Sequence, residues 1–156
     1  MIFVECYADT ALVHFLGHES ETIKHLGGKG RVVGNAWKYE GTVGLVDQDP
    51  GSNQPRRMKE FSTKEKMGSL QLKVHPSRKS VLVVVPPRLE EWFLRAAKEA
   101  KVDIREFGLS DNAKDLHAEL GSSTGRHLEK LEGFLEALQE KKSRLLADMR
   151  QALAPR

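Results

Sequence analysis

Residues 80–85, SVLVVV, are continuously apolar after the serine, and Pro86-Pro87 closes the run. A strand with one wet face alternates apolar and polar residues, whereas a strand covered on both faces has no need to. This run therefore requires apolar cover above and below it. The rest of the chain supplies material for that cover, because strand-like and helix-like segments alternate through residue 107. That order predicts an α/β fold with a mostly parallel, Rossmann-like sheet flanked by helices.

Residues 2–5 are apolar up to a carboxylate and predict a strand. Residues 9–16 then carry helical spacing through Ala11, Leu12, Phe15 and Leu16, with Gly17 placed to close the helix. Residues 22–26 predict a second strand, followed by Gly27-Gly28-Lys29-Gly30. Residues 31–39 predict a short helix with Val32, Val33, Ala36 and Trp37 on its inner side. Residues 42–50, TVGLVDQDP, hold a third strand built on Val43, Leu45 and Val46. Residues 49–66 are polar without strong periodicity and predict a long loop, a feature that in compact domains tends to be functional or disordered. Residues 70–74 alternate, with Leu70, Leu72 and Val74 on one side, and predict an edge strand. Residues 89–101 predict a helix packed through Trp92, Phe93, Ala96, Ala97 and Ala100. Residues 104–107 predict one more short strand, and Ser110 a cap for a helix ending at Leu120.

The last segment differs in kind. Ser122, Ser123 or Thr124 can cap a long C-terminal helix over residues 125–153. Leu128, Leu131, Leu135, Leu138, Lys142, Leu145, Met149 and Ala152 recur at alternating intervals of three and four, broken only by Lys142. Phe134, Leu146 and Leu153 widen the stripe. Such a stripe needs a partner surface, either its own domain or a second copy. The predicted organisation is an α/β domain over 1–107 and a helical extension over 108–156, packed on that domain or forming a homodimer through 125–153.

Composition sets bounds on function. Apolar residues make up 39% and charged residues 30% of the chain, a globular balance with no run long enough for a membrane span. The first residues show neither a basic stretch nor a cleavage site, so no export signal is expected. Cys6 is the single cysteine, which excludes a disulfide framework and a cysteine-rich zinc site and makes a reducing cytoplasm the expected location. A net charge of +3 permits a polyanionic partner without demanding one.

The chemistry concentrates where strands end. In extended chain, residues i and i+2 point the same way, so Asp47 and Asp49 should project together. Neighbouring carboxylates repel and ionise comfortably only around a cation, and hard oxygen ligands suit Mg2+. The alternative is a solvated turn, since Asp before Pro-Gly is common loop chemistry. Glu5 closes the first strand, so a parallel sheet would bring it to the same edge as the Asp pair. Lys29 and Arg31 beside the glycine turn, and Arg56, Arg57 and Lys59 in the polar loop, could steer a phosphate backbone. Taken singly, each is an ordinary solvated cation. His14, His18 and His25 show no metal-box spacing, and Trp37 and Trp92 suit core packing.

These residues resemble a known family. Val4-Glu5-Cys6-Tyr7-Ala8-Asp9-Thr10-Ala11-Leu12 is similar to the opening motif of Toprim domains, in which a hydrophobic strand runs into Glu-Gly-x-x-Asp and a helix. The apolar strand ending in Asp47-Gln48-Asp49 resembles the family's second motif, at a similar separation. The resemblance covers about residues 2–100. It implies a Mg2+-binding acid cluster acting on phosphodiesters, with Mn2+ as a substitute. By its motifs Glu5 would be a general acid or base, and Asp47 and Asp49 the metal-binding pair. Asp9 would contribute as in the OLD-type branch. Gly27-Gly28-Lys29 is similar to a Gly-Gly-Lys element of small Toprim-like proteins. Leu89-Glu90-Glu91-Trp92 resembles an OLD-like signature whose glutamate, here Glu90, joins the metal. The chain departs from the family at Cys6, where glycine is usual, and a Cβ there implies either a reshaped turn or lost catalysis.

Three expectations follow. One is a Mg2+-dependent nuclease acting on DNA or RNA. The second is an inactive Toprim-like module that binds nucleic acid or a partner. The third is a dimerising component of a larger complex, in DNA repair or phage defence.

Overall fold

The computed structural model describes residues 1–121 and 125–155; the expected cap at 122–124 lies outside them. Six strands form one sheet: β1 (Ile2–Val4), β2 (Ile23–His25), β3 (Val43–Asp47), β4 (Ser62–Met67), β5 (Leu70–Val74) and β6 (Val81–Val85). Their spatial order is β2-β1-β3-β6-β5-β4. The first four run parallel, with Ile2 opposite both Ile23 and Val43, and Val43 opposite Val81. β5 and β4 return antiparallel. The helices are α1 (Tyr7–Phe15), α2 (Lys29–Lys38), α3 (Leu89–Ala100), α4 (Ala113–Leu120), α5 (Gly125–Glu140) and α6 (Arg144–Ala152). The architecture is α/β and Rossmann-like, a mostly parallel sheet flanked by helices with a long C-terminal helix.

β6 lies inside the sheet, all five of its residues buried. Val81, Val83 and Val85 face a core shared with α1, α3, α4, α5 and α6, while Leu82 and Val84 face a smaller core under α2. This double cover is what a run without alternation calls for. Gly44 of β3 permits the close approach of α2, since a Cβ there would come within 2.8 Å of Leu82 and 2.9 Å of Val32.

Several elements differ from the sequence expectation. The loop expected over 49–66 contains a 3-10 turn, Arg56–Glu60, and then β4, so the outer strand is β4 and β5 lies inside it. STKEKM has no apolar face because almost all of β4 is exposed, the usual composition of a protected sheet edge. Ile104–Phe107 is a 3-10 turn, because the Asp103 carboxylate accepts the Arg105 N–H at 3.0 Å and curls the chain. Asn112, not Ser110, caps α4 through the Asp115 N–H at 3.1 Å, while Ser110 donates to Glu119.

The helical run over 125–153 breaks at Lys142, whose φ of 55° is left-handed. Ser143 restarts it by accepting the Leu146 N–H. The stripe residues Leu131, Leu135, Leu138, Met149 and Ala152 are all buried in the chain's own core, together with Phe134, Leu146 and Leu153. Each such leucine contributes about 1.5–3 kcal/mol by leaving water. The stripe is thus spent within the chain. Among the described residues no helix is long and apolar enough to cross a membrane.

Candidate functional site

Parallel strands deliver their carboxyl ends to one edge of the sheet. Here β1 runs into Glu5, β3 ends in Asp47, and β6 leads through Pro86 and Pro87 to the first turn of α3, which carries Glu90. Cross-links fix the three together. Glu5 Oε2 accepts the Asp47 N–H at 2.9 Å, and Asp47 Oδ1 accepts the Leu89 N–H at 2.9 Å.

The turn from β1 into α1 is held by Asp9, whose Oδ2 accepts the N–H groups of Glu5 and Cys6 at 3.1 Å each. Cys6 sits at the N-cap with φ −136° and ψ 176°, an extended backbone open to any residue. A Cβ therefore costs this turn no strain, and the departure from glycine is accommodated by its shape. Burial pushes the Cys6 thiol well above its ordinary range. It packs against the core as a small apolar group.

Electrostatically the edge is crowded. Asp9 is 3% exposed, and burial followed by the Glu5 charge raises its pKa to about 7. Burial, then Asp9, Glu5 and Glu90, raises Asp47 to about 8. Glu5 is also raised, chiefly by burial, although the Asp47 N–H and the Lys29 charge oppose it. Glu90 is 6% exposed; one oxygen lies 2.8 Å from His117 Nδ1, and the other is buried without a hydrogen-bond partner among the described residues. Glu5, Asp9, Asp47 and Glu90 thus act on one another as a group.

Asp49 stands to one side. Its φ of 44° leaves the strand conformation, so the alternation that would align it with Asp47 stops before it. Its N–H donates to the Pro87 carbonyl at 2.8 Å and its carboxylate pairs with Arg88 at 3.0 Å. Asp49 still raises the Glu5 pKa across the site.

The basic residues divide. Lys29 reaches the cluster from the first turn of α2, its Nζ donating to the Gln48 carbonyl at 2.7 Å and to Gln54 Oε1 at 2.6 Å. Burial lowers its pKa while Glu5, Asp49 and Asp47 favour its charge. Arg57 stacks on Trp37, 3.6 Å from the ring centroid, and pairs with Glu60 at 3.1 Å. Among the described residues Arg31 reaches only the Leu26 carbonyl, at 3.5 Å, and Arg56 and Lys59 are exposed on the 3-10 turn. Trp92 is a core residue, whereas Trp37 is only half-buried.

Two residues at this edge escaped the sequence analysis. Arg88 immediately precedes the Leu-Glu-Glu-Trp segment, and that adjacency was a usable signal. His117 meets Glu90 across 27 residues, with no local pattern to announce it. Beside them lies a cleft of about 590 Å³ lined by Arg88, Glu90, Lys114 and His117. Among the described residues, no group of three or more His, Cys, Asp or Glu side chains is arranged to hold a metal ion. Comparison of the chain with family models, curated proteins and solved structures returned no match.

Proposed function

We propose that the acid edge is a Toprim-like centre for Mg2+-dependent phosphodiester cleavage on nucleic acid. The observation that carries this reading is the buried Glu90 oxygen, without a partner among the described residues, within a group of four mutually interacting carboxylates. Buried anions persist only with protons, cations or strong donors beside them. A divalent cation fits the donor set by charge and by hardness. Mg2+ in particular keeps several waters and asks for only one or two carboxylates, so it needs no complete protein cage.

On this reading Asp47 and Glu90 would hold the ion, with Asp49 and Asp9 at its margin. Bound there, Mg2+ would supply charge neutralisation at the scissile phosphate and a more acidic water. Glu5, its pKa raised by burial, would hold and release a proton at its free carboxylate oxygen. Lys29 keeps the apo cluster from carrying its full negative charge. Arg88 orients Asp49, and exposed Arg56 and Lys59 would draw a DNA or RNA backbone toward the edge.

A second reading has its own observation. Asp9, Asp47 and Glu5 each accept backbone N–H groups that fix turns, so these acids also serve the fold without chemistry. That suits a binding module in a larger assembly that performs no turnover. Incubation with single- and double-stranded DNA and RNA separates the two readings. Cleavage that requires Mg2+ or Mn2+ and disappears in Asp47→Asn/Asp49→Asn supports the enzyme. Folded protein that binds these strands but leaves them whole supports the module.

A further inference from the structure

The helical extension reaches the acid edge through His117. Glu90 enters from the first turn of α3 and His117 from α4, within the segment that the resemblance does not cover. His117 Nδ1 stands 2.8 Å from Glu90 Oε1. A carboxylate without a proton can only accept, so with Glu90 in that form the contact requires the His117 tautomer or cation that carries its proton on Nδ1. The contact is unusual in its exposures, the glutamate side chain being 8% exposed and the histidine 72%. An imidazole this exposed gains little stability from holding a buried acid.

Fixing Oε1 leaves Oε2, the oxygen without a partner among the described residues. The Glu90 charge raises the pKa values of both Glu5 and Asp47, so the carboxylate lies electrostatically within the cluster. We infer that His117 is a positioning residue, holding Glu90 by one oxygen so that the other is presented to a cation at the acid edge. Histidine paired with carboxylate is a common outer-shell device at metal centres, usually with the imidazole as ligand. Here the roles are exchanged, the carboxylate being the ligand and the imidazole its holder. The inference rests on the metal-centre reading. It adds that the helical extension helps to build the centre.

The test is calorimetric titration of Mn2+ into the full chain as wild type, His117→Ala, His117→Asn and Asp47→Asn/Asp49→Asn. Because His117 is exposed, thermal melting of both histidine variants should match wild type. His117→Ala should weaken Mn2+ binding about tenfold, the lower bound for losing an outer-shell partner. His117→Asn, whose amide N–H falls near the place of Nδ1–H, should recover most of that loss. If His117→Ala binds Mn2+ as tightly as wild type while the double Asp variant does not bind, the positioning role is overturned and the metal centre stands. If His117→Asn is as weak as His117→Ala although both are folded, the N–H is not what matters and the role is likewise overturned. If wild type takes up no Mn2+, or the double Asp variant binds as well as wild type, the metal centre falls and this inference with it.

Discussion

Where α5 packs on α1 and α6 on α3 and β5, Leu131, Phe134, Leu135 and Met149 are all 0% exposed among apolar neighbours. At the carboxyl edge of the same sheet Asp9 and Glu90 are almost as deeply buried, at 3% and 6%, and belong to a group of mutually repelling acids. The helical flank gains from burial, whereas each acid at the edge loses hydration and gains repulsion. The difference teaches that burial stabilises the flank, while the edge holds acids in an electrostatically unfavourable state that, on the proposed reading, a bound cation would relieve.

The comparison breaks most sharply by making the flank resemble the edge. Leu135→Glu would bury a carboxylate without a cation, at a cost of about 4 kcal/mol or more, and thermal unfolding should lose its cooperativity or appear only at much lower temperature. A fully stable variant would mean the stripe is not core. Gly44→Val tests the smaller core under α2. Its side chain would strike Leu82 and Val32, and denaturant unfolding should show a loss of about 1–3 kcal/mol.

The edge can also be made to resemble the flank. The Asp47 pKa rises from 3.8 to about 8 on folding. The folded state therefore holds the proton more tightly, and stability should fall as pH climbs through that window. Asp47→Asn keeps an acceptor for the Leu89 N–H and removes the charge. Without added metal it should raise the melting temperature near pH 8.5, by the equivalent of about 1–2 kcal/mol, and change little near pH 4, where the folded state keeps the proton and the unfolded state is only partly ionised. Equal effects at both pH values would show that charge is not the cause. The smallest effect is expected at Arg57, exposed on Trp37, where Arg57→Ala should cost about 0.5–1 kcal/mol and shift the tryptophan fluorescence.

Legibility followed the same divide. β6, β3 and α3 could be read because burial leaves a periodic or continuous apolar trace. β4 could not, since an exposed edge strand such as STKEKM is selected for charge and carries no apolar alternation. At the C-terminus Lys142 marked the break in the stripe, but only the Ser143 cap turns that break into two helices. The arrival of Glu5 and Asp47 at one edge follows from parallel strand order alone. The placement of Asp49 does not, because it depends on a left-handed residue bonded to the Pro87 carbonyl. The turn at Cys6 showed its tolerance for a Cβ only once its backbone angles were known. His117 joins Glu90 through tertiary contact between helices, and spacing within the sequence records none of it.

The central claim is that the acid edge is completed by a divalent cation, and proton release during metal uptake tests it most directly. Mn2+ titrated near pH 7 in two buffers of different ionisation enthalpy yields both the affinity and the number of protons displaced. With Asp47 near 8 and Asp9 near 7 before metal arrives, binding should release on the order of one proton. Binding and release should both vanish in Asp47→Asn/Asp49→Asn. Absence of binding at millimolar Mn2+, or binding that displaces no proton and survives the double substitution, would contradict the account.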